Sequence, residues 1–307
     1  MTDKLTPLHD AIHDHLRPGD SIVIGAGLEP EVPFAATHEI IRQCITGLNV
    51  IAPISDVSTD MLIGAGCCSE ITGAWVGNVS SGLGHNYRRS VEKSDPYRVK
   101  INDHSNFSLG MALMAGAYGM PYAPMRSILG SDILKSNPTF KITDNPFGGT
   151  DDKIVQVPPL IPDVAIIAVQ RADRFGNNHH WGSRGLIFEA AMAAEKLILL
   201  ADEIVEPEVI SSDPGRVLVP GFRTTAVCHI PGGVHPSPMT GRWQRDTDFF
   251  GEYHQHSRTR EGFLEWLDDW VLKVPDHKAY AEKLGTRLQN LRITGSALAA
   301  DTNYAAE

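Results

Sequence analysis

The sequence predicts an α/β protein: a mainly parallel, open sheet flanked by helices. Two observations predict it. The runs DVAIIAVQ (163–170) and KLILLA (196–201) are apolar throughout, which suits strands covered on both faces. Short strand-like runs also alternate along the chain with segments whose apolar residues recur every three or four positions, the order of a βαβ protein. At 307 residues, 42% hydrophobic and 21% charged, the chain is long enough for a large core and ordinary in composition.

The elements follow in order. Thr6 and Pro7 cap and open a first helix, on which Leu8, Ile12 and Leu16 make an apolar stripe, and RPGD (17–20) stops it. SIVI (21–24) reads as a strand. Pro33 opens a second helix with Phe34, Thr37, Ile41 and Cys44 on one face. LNVIA (48–52) and ITGAWVG (71–77) are strands, a helix covers 87–92, and YRVKI (97–101) is another strand. The helix Ser105–Tyr118 carries Phe107, Met111, Met114 and Tyr118 on one side. An Ala-rich helix over 187–195 separates the two apolar runs, and TTAVCHI (224–230) is a later strand. Phe263, Trp266, Leu267, Trp270 and Val271 mark an amphipathic helix, and a further helix follows Pro275. No Ser-, Gly- or charge-rich linker divides the chain, and no internal repeat is visible. Residues 1–290 therefore read as one domain with a Pro/Gly-rich excursion near 119–162, and 291–307 as a tail without a periodic anchor.

Composition excludes several classes. A formal net charge of −10 leaves no cationic excess for nucleic acid. No stretch is apolar enough to span a membrane, and the N-terminus has no secretory h-region. Cys44, Cys67, Cys68 and Cys228 form no CxxC pair, so they read as reduced thiols of a cytoplasmic protein. His9 and His13, with His15 nearby, have metal-ligand spacing but lack the Glu of H-E-x-x-H, and read as a solvated helix face. NNHH (177–180) reads as a structural turn, in preference to a metal site, whose asparagines tolerate left-handed geometry, with Trp181 packing beside it. No metal is expected.

The first glycine loop, VIGAGLEP (23–30), follows a strand and precedes a helix. Pro30 stands where a dinucleotide fingerprint needs its third glycine, and Glu29 would put negative charge beside a pyrophosphate. No G-K-[ST] follows, so it is no P-loop. What remains is a strand–loop–helix crest, either a tight structural turn or a ligand wall at the carboxyl end of a strand.

The loop has company. EVPFAATHEIIRQ after it, NYRRSVE (86–92), HSNFSLGMALMAGAYGMPYAPMRSILGSDI (104–133), VQRADRFGNNHHWG (169–182), LLADEIVEPEVISSDPGRVLVPGF (199–222) and VHPSP (234–238) follow in this order. Together they resemble the α subunit of the glutaconate CoA-transferase type within the family I CoA-transferases, over about residues 6–285. GDSIVIGAGLEPEVP resembles that family's α-side signature. Gly25, Gly27 and Pro33 fit it, Ala26 and Leu28 shift it, and Glu31 stands where a glycine is usual.

The resemblance implies a ping-pong exchange in which a glutamate carboxylate attacks an acyl-CoA thioester and becomes a glutamyl-CoA thioester. That glutamate belongs to an S-E-N-G motif on the β-type half, and S-E-N-G does not occur in these 307 residues. The expectation is thus an α-type subunit with no nucleophile of its own, working in a hetero-oligomer with a β-type subunit on an acyl-CoA and a free carboxylic acid. Gly25, Ala26, Gly27, Leu28 and Glu29 are expected to wall the acyl site, and Ser80 and Ser81 to line the same cavity. His104, Ser105 and Asn106 are expected to offer hydrogen bonds at a helix N-terminus. Arg126, followed by Ser127, either pairs with an acid carboxylate or forms an ordinary ion pair. Heteromeric hydrolases that open steroid ring fragments as CoA thioesters also resemble this chain. Their functional carboxylate falls at Asn106, where an amide cannot act as a base. A binding protein on the same sheet is the non-enzymatic alternative.

Overall fold

The computed structural model describes residues 2–295. The expected tail reaches past them: residues 296–307 lie outside the described part. Seven parallel strands form the central sheet: β1 (Ser21–Val23), β2 (Leu48–Ile54), β3 (Cys68–Trp75), β4 (Lys100–Asp103), β5 (Val164–Ala172), β6 (Lys196–Ile204) and β7 (Ala226–His229). Their order is β7-β6-β5-β1-β2-β3-β4, and the short strand Asn178–His179 pairs antiparallel with β5. The chain winds outward from β1 through β2, β3 and β4. It then returns to the other side of β1 and winds outward again through β5, β6 and β7. The reversal falls between β1 and β5, the place where open α/β sheets form a crevice at their carboxyl ends.

Burial explains the apolar runs. In β5, Val164, Ile166 and Ala168 enter the core on one face, while Ala165, Ile167 and Val169 enter the core on the other. In β6, Ile198 and Leu200 point one way and Leu197, Leu199 and Ala201 the other. Neither face of these strands meets water, so no polar alternation survives in the sequence. Each buried Ile, Leu or Val contributes about 1.5–3 kcal/mol. The larger core takes in helices Leu8–His15, Phe34–Arg42, Val57–Gly64, Thr247–His256, Arg260–Leu267 and His277–Leu284. Helices Asn106–Ala117 and Ile187–Ala193 cover the opposite face.

Several elements differ from expectation. The strand read at 97–101 starts at Lys100, because Tyr97 is an anchor: its hydroxyl donates to the carbonyls of Ile63 (3.0 Å) and Cys68 (2.7 Å). The strand read at 71–77 runs from Cys68 to Trp75. The excursion holds a three-stranded antiparallel sheet of Ala123–Met125, Lys153–Val157 and Lys141–Asp144, in that order. Met125, Val155, Val157 and Phe140 close it against Ala112. Helices Val57–Gly64 and Thr247–His256 were not expected. Among the described residues no helix is long and apolar enough to cross a membrane.

Candidate active site

The loop after β1 sits at the sheet's switch point, against the end of β2. Gly25 has φ +70°, and a Cβ there would lie 2.7 Å from the Ser55 Cβ and 2.8 Å from its Cα. A Cβ on Gly27 would meet the Pro30 carbonyl at 2.6 Å. The carbonyl of Ala26 accepts from the Leu186 N–H at 2.8 Å. Both glycines are thus required by the close approach of backbone to backbone. Three side-chain-bearing residues around them have positive φ: Leu28 (75°), Glu31 (61°) and Asp56 (49°). For such residues this conformation is uncommon and strained, and strain of this kind concentrates at functional sites. Glu31, which stands where the family signature has glycine, has the left-handed backbone that favours glycine.

Arg245 draws three crest loops together. Its Nη2 donates to Asp56 Oδ2 (2.7 Å) and Ser80 Oγ (2.9 Å), and its Nε to Ser80 Oγ (3.1 Å). Its Nη1 lies 3.3 Å from Glu29 Oε1, and the guanidinium carbon is 3.9 Å from the centre of the Phe250 ring. The loops after β1, β2 and β3 thus converge on one cation. Asp56 is wholly buried. Burial pushes its carboxyl up from the ordinary value, and the Arg245 charge and hydrogen bond only partly offset this. Asp56 Oδ1 also accepts from the Val79 N–H at 3.1 Å, tying β3's loop to β2's. The VHPSP segment clasps the β1 loop from outside: Ser237 Oγ donates to the Glu29 carbonyl (2.9 Å), and the Glu31 N–H to the Pro238 carbonyl (2.8 Å).

A buried polar cluster ties the β1 loop to β5 and to the segment after it. His180 Nε2 faces Glu31 Oε2 at 2.6 Å, and Gln170 Nε2 donates to Glu31 Oε1 (2.9 Å) and to the Trp181 carbonyl (2.9 Å). Side-chain exposure is 0% for His180 and 1% for Glu31. Removing either partner would leave a polar atom of the other unsatisfied in the core, at a cost of about 1–3 kcal/mol. This pair holds the β1 loop at its far end.

The expected residues divide into groups. Gly25, Ala26, Gly27, Leu28 and Glu29 form the β1 crest, and Ser80 joins it through Arg245. Ser81 is exposed on the neighbouring turn, its N–H bonded to Asn78 Oδ1 at 3.0 Å. His104, Ser105 and Asn106 follow β4. Ser105 caps the helix: its Oγ accepts from the Ser108 N–H (3.0 Å), and the Ser105 N–H donates to Ser108 Oγ (2.9 Å). His104 packs edge-on to Phe140, and burial pushes its imidazole down to about 4. Asn106 is exposed. Arg126 lies in the antiparallel excursion, beside Ser127. Both arms of its fork engage Asp152, at 2.6 and 2.8 Å.

Gly176 (φ +90°), and neither asparagine, takes the left-handed position in the turn leading into 177–180. Asn177 Nδ2 donates instead to Asp173 Oδ2 (2.7 Å). His179 Nε2 bonds the Ile210 carbonyl at 3.0 Å. Ser55, Asp56, Ser237 and Arg245 were not singled out in the sequence. The available signal was the Ser-Asp pair directly after β2, where carboxyl-end ligands are expected.

Residues 6–229 match the model of the coenzyme A transferase family. The chain belongs to that family. It is 37% identical to the corresponding subunit of the 3-oxoadipate CoA-transferase of Pseudomonas knackmussii, over 92% of this chain and 99% of that protein. The solved glutaconate coenzyme A-transferase of Acidaminococcus fermentans superposes with a TM-score of 0.90 at 32% identity, covering 95% of this chain and 96% of that one. The cholesterol ring-cleaving hydrolase IpdA subunit of Mycobacterium tuberculosis is 26% identical over 93% of this chain and 99% of that protein. The family's sheet and its α-subunit likeness are those expected from the sequence.

Proposed function

We propose that this chain is the α-type subunit of a heteromeric CoA-transferase that moves CoA between an acyl-CoA and a free mono- or dicarboxylic acid. A β-type subunit brings the glutamate nucleophile to the crest around Gly25 and Arg245. The chemistry runs in four balanced steps. The glutamate carboxylate attacks the thioester carbon, giving an anhydride and releasing CoA thiolate. The thiolate attacks the glutamyl carbonyl of that anhydride, releasing the first acid and leaving a glutamyl-CoA thioester. The acceptor carboxylate attacks this thioester, again giving an anhydride and thiolate. The thiolate then attacks the acceptor's acyl carbon, and the glutamate carboxylate is regenerated. Every stage exchanges one activated acyl group for another, so neither water nor a metal is required.

In this reading Gly25–Glu29 wall the acyl group, and Ser80, Ser81 and the helix start at His104, Ser105 and Asn106 line the approach. The observation that carries the proposal is the convergence of three carboxyl-end loops on Arg245, at the switch point of a sheet belonging to this family. Arg126 and Ser127 are retained as a candidate acid contact only if the Asp152 fork opens.

The test is to incubate the purified two-subunit complex with acyl-CoA and a free acid and to resolve the products. Transfer of CoA to the acid supports the proposal. Net hydrolysis or ring opening without transfer supports the hydrolase alternative, which the amide at Asn106 disfavours. Binding without turnover supports a sensor.

A further inference from the structure

We infer that Glu29 and Arg245 form a displaceable carboxylate seat: Glu29 occupies the place on the Arg245 guanidinium that the far carboxylate of a dicarboxylic substrate takes, and the pair thereby sets the preference for diacids over monoacids. The inference rests on the transferase reading above.

The two sides of the Arg245 fork differ. The inner side is fixed. Nη2 and Nε are held by Asp56 and Ser80, and Phe250 lies beneath the guanidinium. Asp56 is wholly buried and tied to the Val79 N–H, so it cannot leave. The outer side is incomplete. Nη1 is shut off from solvent yet makes no hydrogen bond, because Glu29 Oε1, at 3.3 Å, covers it without lying in line. A buried donor without an acceptor is costly. A carboxylate that met Nη1 in line would recover that cost.

Glu29 is built to give way. Its side chain is 49% exposed and has no other ion-pair or hydrogen-bond partner among the described residues. It follows Leu28, whose backbone is strained at φ +75°. A displaced Glu29 carboxylate is half-exposed and turns to water, which replaces the partner it gives up. The methyl end of a monoacid offers nothing to Nη1 and leaves Glu29 in place. Planar two-point recognition of carboxylate is a property of arginine that lysine does not share.

The test uses the complex with its β-type partner. Glutarate and pentanoate, of equal chain length, serve as acceptors from acetyl-CoA, and the binding of each acid to the CoA-free complex is measured by titration calorimetry. Arg245→Lys is expected to lower the glutarate-to-pentanoate ratio of kcat/KM about tenfold. Glu29→Ala is expected to lower KM for glutarate about threefold relative to KM for pentanoate, the scale of a partly exposed ion pair. Equal effects on both acids, or no effect of Glu29→Ala, would overturn the inference. Glu29 is half-exposed, so its variant keeps the test decisive if Arg245→Lys fails to fold. If neither acid accepts CoA, the transferase reading falls. The calorimetry then judges the seat alone: selective glutarate binding that Glu29→Ala strengthens upholds it, and equal or unchanged binding refutes it.

Discussion

Substituting Gly25 by Ala separates two costs that usually occur together. The first is conformational: Gly25 has φ +70°, and an L-residue pays about 1–2 kcal/mol in the left-handed region. The second is steric. The new Cβ would lie 2.7 Å from the Ser55 Cβ and 2.8 Å from its Cα, about 1 Å inside the usual carbon–carbon separation. Ser55 is buried directly after β2, so relief requires one of the two loops to move, at about 1–3 kcal/mol. The total is about 2–5 kcal/mol. Unfolding entropy near 2.1 cal/mol/K per residue gives about 0.6 kcal/mol/K for this chain, hence a fall in Tm of about 3–8 °C. Gly19 supplies the control. Its φ is +89° and nothing lies within 4 Å of the added Cβ, so Gly19→Ala bears only the conformational cost and loses about 2–3 °C. Scanning calorimetry of the two variants side by side measures the difference. Equal melting temperatures would refute the claim that the β1 crest is packed against β2 backbone to backbone.

Other expectations follow from burial and charge. Burial holds the His104 imidazole near 4, below its ordinary value of 6.5. Its contribution to stability is therefore complete above pH 6.5 and is lost as pH falls towards 4, roughly 3 kcal/mol in all. Denaturant melts of His104→Gln should show a flatter dependence on pH than wild type between 4 and 6.5. Burial pushes the thiols of Cys67, Cys68 and Cys228 up to about 12, while Cys44 is exposed. A disulfide reagent at pH 8 should titrate one thiol per folded chain and four in denaturant. The Arg126–Asp152 pair lies at the surface, where water and salt screen an ion pair and leave it little net effect. Arg126→Ala should leave acceptor KM within about twofold, whereas a tenfold rise would place Arg126 in acid recognition.

What the sequence could disclose follows from which contrasts survive folding. β5 and β6 were legible because both faces are buried, leaving unbroken apolar runs. The helix Val57–Gly64 was not, because it too is buried all round and includes Ser58, Thr59 and Asp60. These polar groups are satisfied inside the protein, Ser58 Oγ by Thr37 Oγ1 (2.7 Å) and Asp60 Oδ2 by the Tyr253 hydroxyl (2.6 Å). No amphipathic stripe remains to be read. The excursion's strand Lys141–Asp144 is mostly exposed, so its alternation is faint. At the site, the glycine pair marked the β1 crest, and the misfit of Glu31 with the family signature marked a position whose φ is indeed positive. Arg245 could not be found this way. Its partners Glu29, Asp56 and Ser80 are at least 165 residues away in sequence, and only the sheet's reversal between β1 and β5 brings their loops beneath it.

The division of labour between two polypeptides is best tested by locating the covalent intermediate. The two-subunit complex is incubated with acyl-CoA, trapped with hydroxylamine or borohydride, and each chain is weighed intact. A mass change confined to a glutamate of the β-type subunit, with this chain unmodified and inactive when purified alone, is the expected result. A CoA-dependent adduct on this chain, or full transfer activity without a partner, would contradict it.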